Sequence, residues 1–153
     1  MFLEFKDYVV NLDNCVSALF ETKKIVFNFN YSVSLKSNVD KYVPDYVYIF
    51  ADENERELIK SQLIQQGWLY SFNSDNPNRF VNPKGISFIK REERIKNGKK
   101  KYRIILNLNS SISLNADVYV KTSDAVYFDF FDKEEMDATF ERFMKSLNTT
   151  KIS

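Results

Sequence analysis

Several residue types that carry chemistry are scarce or missing from this 153-residue chain, which has no histidine and one cysteine, Cys15. Without histidine there is no imidazole base near neutral pH and no His-based triad or metal site. One thiol builds neither an intramolecular disulfide nor a cysteine zinc site. The three glycines form no Gly-rich phosphate-binding motif. We therefore expect a binding protein rather than an enzyme, and we expect no metal and no cofactor.

Long apolar runs are also missing, and no run approaches the 18 residues of a membrane-spanning helix. The opening residues, MFLEFKDYVV, hold acidic side chains where a secretion signal carries positive charge. A single cysteine fits a reducing compartment. These features predict a cytoplasmic protein with no membrane partner.

The residues that are present suit a folded domain. Hydrophobic residues make up 44% of the chain and charged residues 28%, with fourteen Phe and nine Tyr. A chain of this length buries enough surface for independent stability. Length and composition therefore favour one body, or two small halves that share a core.

A twelve-residue segment occurs twice, as KIVFNFNYSVSL at residues 24–35 and RIILNLNSSISL at residues 103–114, with six identical positions. In both copies apolar residues alternate with polar ones, which is the period of a strand with one buried face. The segments are twice the usual strand length, so we expect a bend or bulge near Asn30 and Asn109. The alternating apolar positions are Ile25, Phe27, Phe29, Tyr31, Val33 and Leu35, and then Ile104, Leu106, Leu108, Ile112 and Leu114.

Each copy is followed by a predicted helix. Asp52 and Asp132 are N-cap residues with a Glu three positions later, a spacing that satisfies free amides at a helix start. Gly67 predicts the end of the first helix. Apolar residues recur at helical spacing in both segments, and they are Leu58, Ile59, Leu63 and Ile64, and then Met136, Phe140, Phe143, Met144 and Leu147.

These patterns predict an α+β fold made of two tandem β-β-β-β-α repeats that close on each other with pseudo-twofold symmetry as a single body. One sheet covered by one helix buries little apolar surface alone, and joining two such units merges their cores. The predicted units are residues 1–69 and 79–153, and the connector is the turn-rich segment 70–78.

The two copies differ most at residues 90–103, KREERIKNGKKKYR, which hold eight Lys or Arg against two Glu in a chain of net charge +1. Asn97-Gly98 at the centre predicts a two-residue type I′ hairpin turn, whereas the first copy has only FETKKI at residues 20–25. The second copy thus predicts a long basic β-hairpin. Its candidate contact residues are Lys90, Arg91, Arg94, Lys96, Lys99, Lys100, Lys101, Tyr102 and Arg103.

Three interpretations of this hairpin stay open. A basic β-arm suits a nucleic-acid backbone, because each neutralised phosphate releases counterions. The same charge suits an acidic protein surface. Alternatively, the lysines only keep an exposed strand edge from pairing with other chains. The expected partner is single-stranded nucleic acid or an acidic protein surface.

Two further sets of residues could contribute to binding. The first set is aromatic and lies on or near second-copy strands, where its members could stack on bases; they are Tyr102, Phe88, Tyr119 and Tyr127. Tyr102 is the first choice because Lys101 and Arg103 flank it. The alternative is that these rings fill the core.

The second set is made of Asn and Ser, which line the face opposite the apolar one, where they form either a polar contact surface or a solvated sheet face. They are Asn28, Asn30, Ser32, Ser34, Asn107, Asn109, Ser111 and Ser113.

Two units of antiparallel sheet followed by a helix resemble the PUR-repeat and Whirly-type group of single-stranded nucleic-acid-binding proteins. The resemblance covers nearly the whole chain and lies in the order of elements, since the Whirly signature Lys-Gly-Lys-Ala-Ala-Leu is absent. It implies a compact paired body whose strands contact bases. The alternative function is that of a phage or mobile-element accessory protein that binds another protein, such as an anti-CRISPR-like inhibitor of a nucleic-acid enzyme.

Overall fold

The computed structural model describes residues 1–29, 32–34, 46–108, 111–113 and 125–152, with only the backbone for 32–34 and 111–113. These residues form an α+β fold, as predicted. Its elements are β1 (Phe2–Glu4), β2 (Val9–Asn11), β3 (Cys15–Phe20), β4 (Lys24–Phe29), β5 (Ser32–Ser34), β6 (Tyr46–Ile49), α1 (Glu53–Gln65), β7 (Arg79–Val81), β8 (Ile86–Lys96), β9 (Lys99–Leu108), β10 (Ser111–Ser113), β11 (Ala125–Phe130) and α2 (Lys133–Ser146).

Two antiparallel sheets form the body. The first sheet has the strand order β6-β4-β3-β7, and the second has the order β11-β9-β8. β1 pairs with β2 as a separate antiparallel ribbon, and β5 pairs with β10 in parallel. β7 follows the predicted connector in sequence, yet it joins the first sheet beside β3, with Ser17 opposite Val81.

The first core lies between the first sheet and α1. Ile25 and Phe27 of β4 are fully buried there with Leu63 of α1, as the alternating pattern predicted. The prediction for α1 was wrong at two positions, because Leu58 and Ile64 are exposed. Ile59 and Leu63 are one turn apart and face the sheet, whereas Leu58 and Ile64 are rotated away from that line in opposite directions.

The second core lies between the second sheet and α2. Ile104, Leu106 and Leu108 of β9 are buried against Met136 and Phe143 of α2. The other members of the predicted helix stripe are partly buried against the same cluster, and they are Phe140, Met144 and Leu147. The helix periodicity is therefore confirmed in this half, and the strand periodicity is confirmed at the three described positions, although Ile105 on the other face of β9 is buried as well.

Both helix starts carry the predicted caps. The Asp52 carboxylate accepts a 2.9 Å hydrogen bond from the Glu55 amide, and the Asp132 carboxylate accepts one of 2.9 Å from the Glu134 amide. The end of α1 is also confirmed. Gly67 adopts φ +80°, and the amide after it donates a 3.1 Å hydrogen bond to the Leu63 carbonyl, a geometry that glycine adopts without strain.

The two halves of the chain share their cores. Phe80, from beyond the connector, is buried in the first core, whereas Val16 and Leu69, from before it, are buried in the second. The connector is also hydrogen-bonded to β11. The Asp75 amide donates to the Asp129 carbonyl at 3.0 Å, and the Asp129 amide donates to the Asp75 carboxylate at 2.9 Å.

The bend or bulge predicted near Asn30 and Asn109 falls outside the described residues, and so do the side chains of Tyr31, Val33, Leu35, Ile112 and Leu114. Within the described part of the chain, neither helix has the length and apolar character needed to cross a membrane.

Candidate nucleic-acid interface

The predicted basic hairpin is confirmed. β8 and β9 pair continuously from Phe88 opposite Asn107 to Lys96 opposite Lys99. Asn97 and Gly98 connect them with φ of +54° and +74°. Positive φ at both central residues defines the type I′ turn, whose twist matches that of the strands.

Strand alternation sorts the hairpin side chains onto two faces. The inner face of the second sheet is the one that α2 covers, and it carries Ile104 and Leu106. Side chains at the alternate positions point to the opposite face, which we call the outer cationic face. Its members, by register across the three strands, are Phe88, Lys90, Glu92, Arg94, Lys96, Lys99, Lys101, Arg103, Ile105, Asn107, Tyr127 and Asp129.

Six of the nine predicted contact residues lie on the outer cationic face, and three do not. The register places Arg91, Lys100 and Tyr102 on the inner face. Within residues 90–103 the outer face therefore holds six cations and one Glu, while the inner face holds two cations and one Glu. Nearly all the net positive charge of the hairpin faces one way.

The three inner-face residues are engaged with the protein itself. Arg91 forms a 3.0 Å ion pair with Asp137 of α2, and its guanidinium lies 4.1 Å from the Phe140 ring centroid. Lys100 pairs with Glu93 at 3.2 Å, and this hydrogen bond raises the pKa of the Lys100 ammonium group. Tyr102 packs, partly buried, against the second core.

Arg103 anchors the base of the outer cationic face. Its Nε and one terminal nitrogen donate to the two Asp129 oxygens at 2.5 and 2.9 Å, while the guanidinium lies 4.4 Å from the Tyr127 ring centroid. The hydrogen bond between them is the largest cause of both pKa changes: the pKa of Asp129 falls below its usual value and that of Arg103 rises. Such a bidentate pair fixes geometry and uses up the charge of Arg103.

The remaining outer cations are less constrained. Arg94 lies 3.8 Å from a Glu92 oxygen, both exposed to solvent to a large degree. Among the described residues, no carboxylate lies within 4.0 Å of the ammonium groups of four lysines: Lys90, Lys96, Lys99 and Lys101. These four lysines are the charge that the outer face offers to a partner.

Aromatic rings lie among these lysines. Phe88 is 56% exposed and Tyr127 45%, and Phe131, directly after β11, is 84% exposed with the Lys101 ammonium 5.6 Å from its ring centroid. Sequence reasoning named Phe88 and Tyr127 but missed Phe131. The alternation of Val126, Phe128 and Phe130 with Tyr127, Asp129 and Phe131 was the signal that could have found it.

The predicted Asn/Ser face is described at two positions only. Asn28 donates a 3.0 Å hydrogen bond to the Ser17 hydroxyl within the first sheet, and Asn107 lies on the outer cationic face opposite Phe88. The other six side chains lie outside the described residues, as does Tyr119.

Apart from the outer cationic face, a concave region lies between α2 and the connector. Arg142 is its central side chain, with the guanidinium 4.4 Å from the Tyr70 ring centroid and a hydrogen bond to the Tyr70 carbonyl. Burial lowers the pKa of Arg142. In the described part of the chain, no three His, Cys, Asp or Glu side chains lie close enough to hold a metal ion.

No protein-family model, curated protein or solved structure matches the chain.

Proposed function

We propose that the protein is a non-enzymatic nucleic-acid-binding protein that contacts phosphates through the outer cationic face. The observation that supports this most is the sorting of charge: six of eight hairpin cations share one face, and four of them have no carboxylate within ion-pair distance among the described residues. Strand alternation puts charged residues on the face away from α2 whatever their sign, so a hairpin charged only for solubility could carry either sign there, whereas six of the seven charged hairpin residues on this face are cations. Phosphate binding does require an excess of cations on one face, since the contacts must reach one strand together.

A tandem duplication with pseudo-twofold symmetry is part of the proposal. After β1, the order β2, 3-10 turn (Leu12–Asn14), β3, β4, β5, β6, α1 recurs as β7, 3-10 turn (Pro83–Gly85), β8, β9, β10, β11, α2. The parallel pair β5–β10 puts Ser32 opposite Ser111 and Val33 opposite Ile112. These are the residues that the sequence repeat matches, and a twofold axis running along the pair sets equivalent residues side by side. This arrangement supports the resemblance to PUR-repeat and Whirly-type proteins in the order of elements. A cytoplasmic location is part of the same proposal.

The proposal is tested by titrating labelled oligonucleotides at several salt concentrations. With four lysines on phosphates, log Kd should change with log salt with a slope of magnitude about 3 for a single strand, at roughly 0.7 per phosphate. The double variant Lys96→Gln/Lys99→Gln should reduce the slope by about 1.4.

Arg91→Gln/Lys100→Gln is the matched control, because it removes two charges from the same hairpin on the inner face. We expect it to leave the salt slope unchanged. Equal losses in both variants would show that only overall charge matters and would contradict the proposed face. Absence of nucleic-acid binding, with capture of a defined acidic protein that depends on Lys96 and Lys99, would replace the proposal with the protein-binding alternative, a phage or mobile-element accessory protein.

A further inference from the structure

Phe88 and Phe131 are the two most exposed aromatic rings on or beside the outer cationic face. The third ring, Tyr127, has one side covered by the Arg103 guanidinium. Among the described residues, neither Phe88 nor Phe131 has another aromatic ring within stacking distance. Phe88 therefore presents an open π surface to solvent, and the 84% exposed Phe131 does so on the side of its ring away from the Lys101 ammonium. Such exposure of apolar rings is unfavourable in water.

The two rings lie at opposite corners of the face. Phe88 is opposite Asn107, which is opposite Ala125, and Phe131 lies six residues beyond Ala125. At about 3.4 Å per residue and about 4.8 Å between strands, the rings are about 20 Å apart along the strands and about 10 Å apart across them. Lys90 is the next outer-face residue after Phe88 on β8, and Lys101 lies on β9 level with Phe131, with its ammonium close to that ring. Each ring therefore has one of the two lysines beside it.

An open ring can stack only on a base whose own flat face is open. Bases inside a duplex are stacked on each other, so a duplex presents phosphates and groove edges to a flat sheet rather than base faces. Unpaired bases can turn toward an aromatic side chain, and such stacking accepts any base because every base has a π surface. Lysines alone do not distinguish a single strand from a duplex, because both present phosphates.

We infer that the outer cationic face binds single-stranded nucleic acid, with unpaired bases stacked on Phe88 and Phe131 and the phosphates between them held by Lys90 and Lys101. This inference rests on the proposed nucleic-acid function and adds the polymer class and the two base-contacting residues. Because stacked bases rise about 3.4 Å each, spanning the two rings takes about six nucleotides.

The test compares three probes of equal length with the full chain: a poly-dT strand, a strand with the same backbone but no bases, and a duplex. The wild-type protein should bind the poly-dT strand at least about tenfold more tightly than the abasic strand, since stacking contributes about 1–3 kcal/mol per base. Affinity for poly-dT should rise steeply up to about six nucleotides and more slowly beyond.

Phe88→Ala and Phe131→Ala should each weaken poly-dT binding roughly 10- to 100-fold and leave abasic and duplex binding unchanged. Phe88→Leu tests whether apolar contact suffices, and we expect a loss close to that of alanine. Phe2→Ala removes a ring of intermediate exposure on the separate β1–β2 ribbon rather than on the second sheet, and it should change nothing. A Phe88→Trp variant supplies an independent readout, because its fluorescence should be quenched by poly-dT and not by the abasic strand.

Equal affinity for all three probes, together with alanine variants that bind like the wild type, would overturn the inference while leaving phosphate binding by the lysines intact. Loss of binding to every probe in Lys96→Gln/Lys99→Gln but not in the ring variants would also overturn it. Failure of the wild-type protein to bind any probe would overturn the proposed function itself.

Discussion

The outer faces of the two sheets differ in chemistry although the strands beneath them follow the same order. On the first sheet one row opposite the core is aliphatic, since Leu19 pairs with Val26, which pairs with Val47. On the second sheet the corresponding region holds Lys90, Ile105 and Tyr127. The inner faces are alike in both, because each must bury a helix. A sheet face without that requirement is free to carry other residues, and that of the second sheet is cationic.

The central hairpins of the two sheets, β3–β4 and β8–β9, also differ in length. In the first sheet the β3–β4 pairing ends at Phe20 opposite Ile25, and a short turn closes it, with the Glu21 amide donating to the Lys24 carbonyl at 2.8 Å. In the second sheet the pairing continues for five more residue pairs beyond Arg91 opposite Ile104. The extension adds charge and little buried surface, so it contributes little to the stability of the body.

The largest expected effect tests whether the two cores fold together. Phe27→Ala in the first core and Leu106→Ala in the second remove fully buried side chains and should lower the free energy of unfolding by about 3–5 and 2–5 kcal/mol. Because each core contains side chains from the other half of the chain, we expect each variant to unfold in urea in one cooperative transition. Two separate transitions, one of them unshifted in each variant, would show that the halves fold independently.

An effect of intermediate size concerns the ion pair between Arg103 and Asp129. Both side chains are about four-fifths buried. Asp129→Asn should lower the free energy of unfolding by roughly 1–2 kcal/mol at neutral pH, because it breaks a charge-assisted hydrogen bond. The measurement is urea denaturation across pH.

The sign of the pH dependence follows from the direction of the shift. The folded-state pKa of Asp129 is lowered, so its stabilisation is complete above the ordinary carboxyl pKa near 4 and is lost as pH falls through the lower folded value. The Asn variant should lack this part of the acid loss. Parallel stability curves for the two proteins between about pH 2 and 5 would refute the prediction.

The smallest expected effect compares the two glycines of positive φ, Gly67 at the end of α1 and Gly98 at the hairpin tip. A Cβ at either position meets nothing within 4 Å, so alanine acts through backbone strain alone, about 1 kcal/mol. Gly67→Ala should cost that amount in thermal unfolding. Gly98→Ala should cost under about 0.5 kcal/mol, because the hairpin tip can open without unfolding the body. Equal costs would mean that the hairpin and body unfold as one unit.

Much of this architecture could be predicted from local patterns. The helix caps Asp52 and Asp132, the stop at Gly67 and the Asn97-Gly98 turn are set by backbone geometry within a few residues, and all are confirmed. Errors arose where burial depends on what lies opposite. Leu58 and Ile64 have the right residue type for a core, but α1 touches the sheet along a line too narrow to cover them.

The candidate site shows the same limit. Lys101 and Arg103 flank Tyr102 in sequence and make it the favoured ring for base contact, yet strand alternation points it to the opposite face, where it packs against the second core. Neighbours along a strand do not share a face. Phe131 and Asp129 come from a different segment, and only the β9–β11 register brings them beside Lys101 and Arg103.

The amino-acid sequence by itself determined the elements, the absence of histidine chemistry, the long basic hairpin and its turn, because each depends on residues close together along the chain. The tertiary structure alone decided which cations face outward, which are neutralised by Asp129, Asp137 and Glu93, and which rings stay open. Those outcomes depend on strand register and on which carboxylates and helices lie across from each side chain, and these are relations between distant segments.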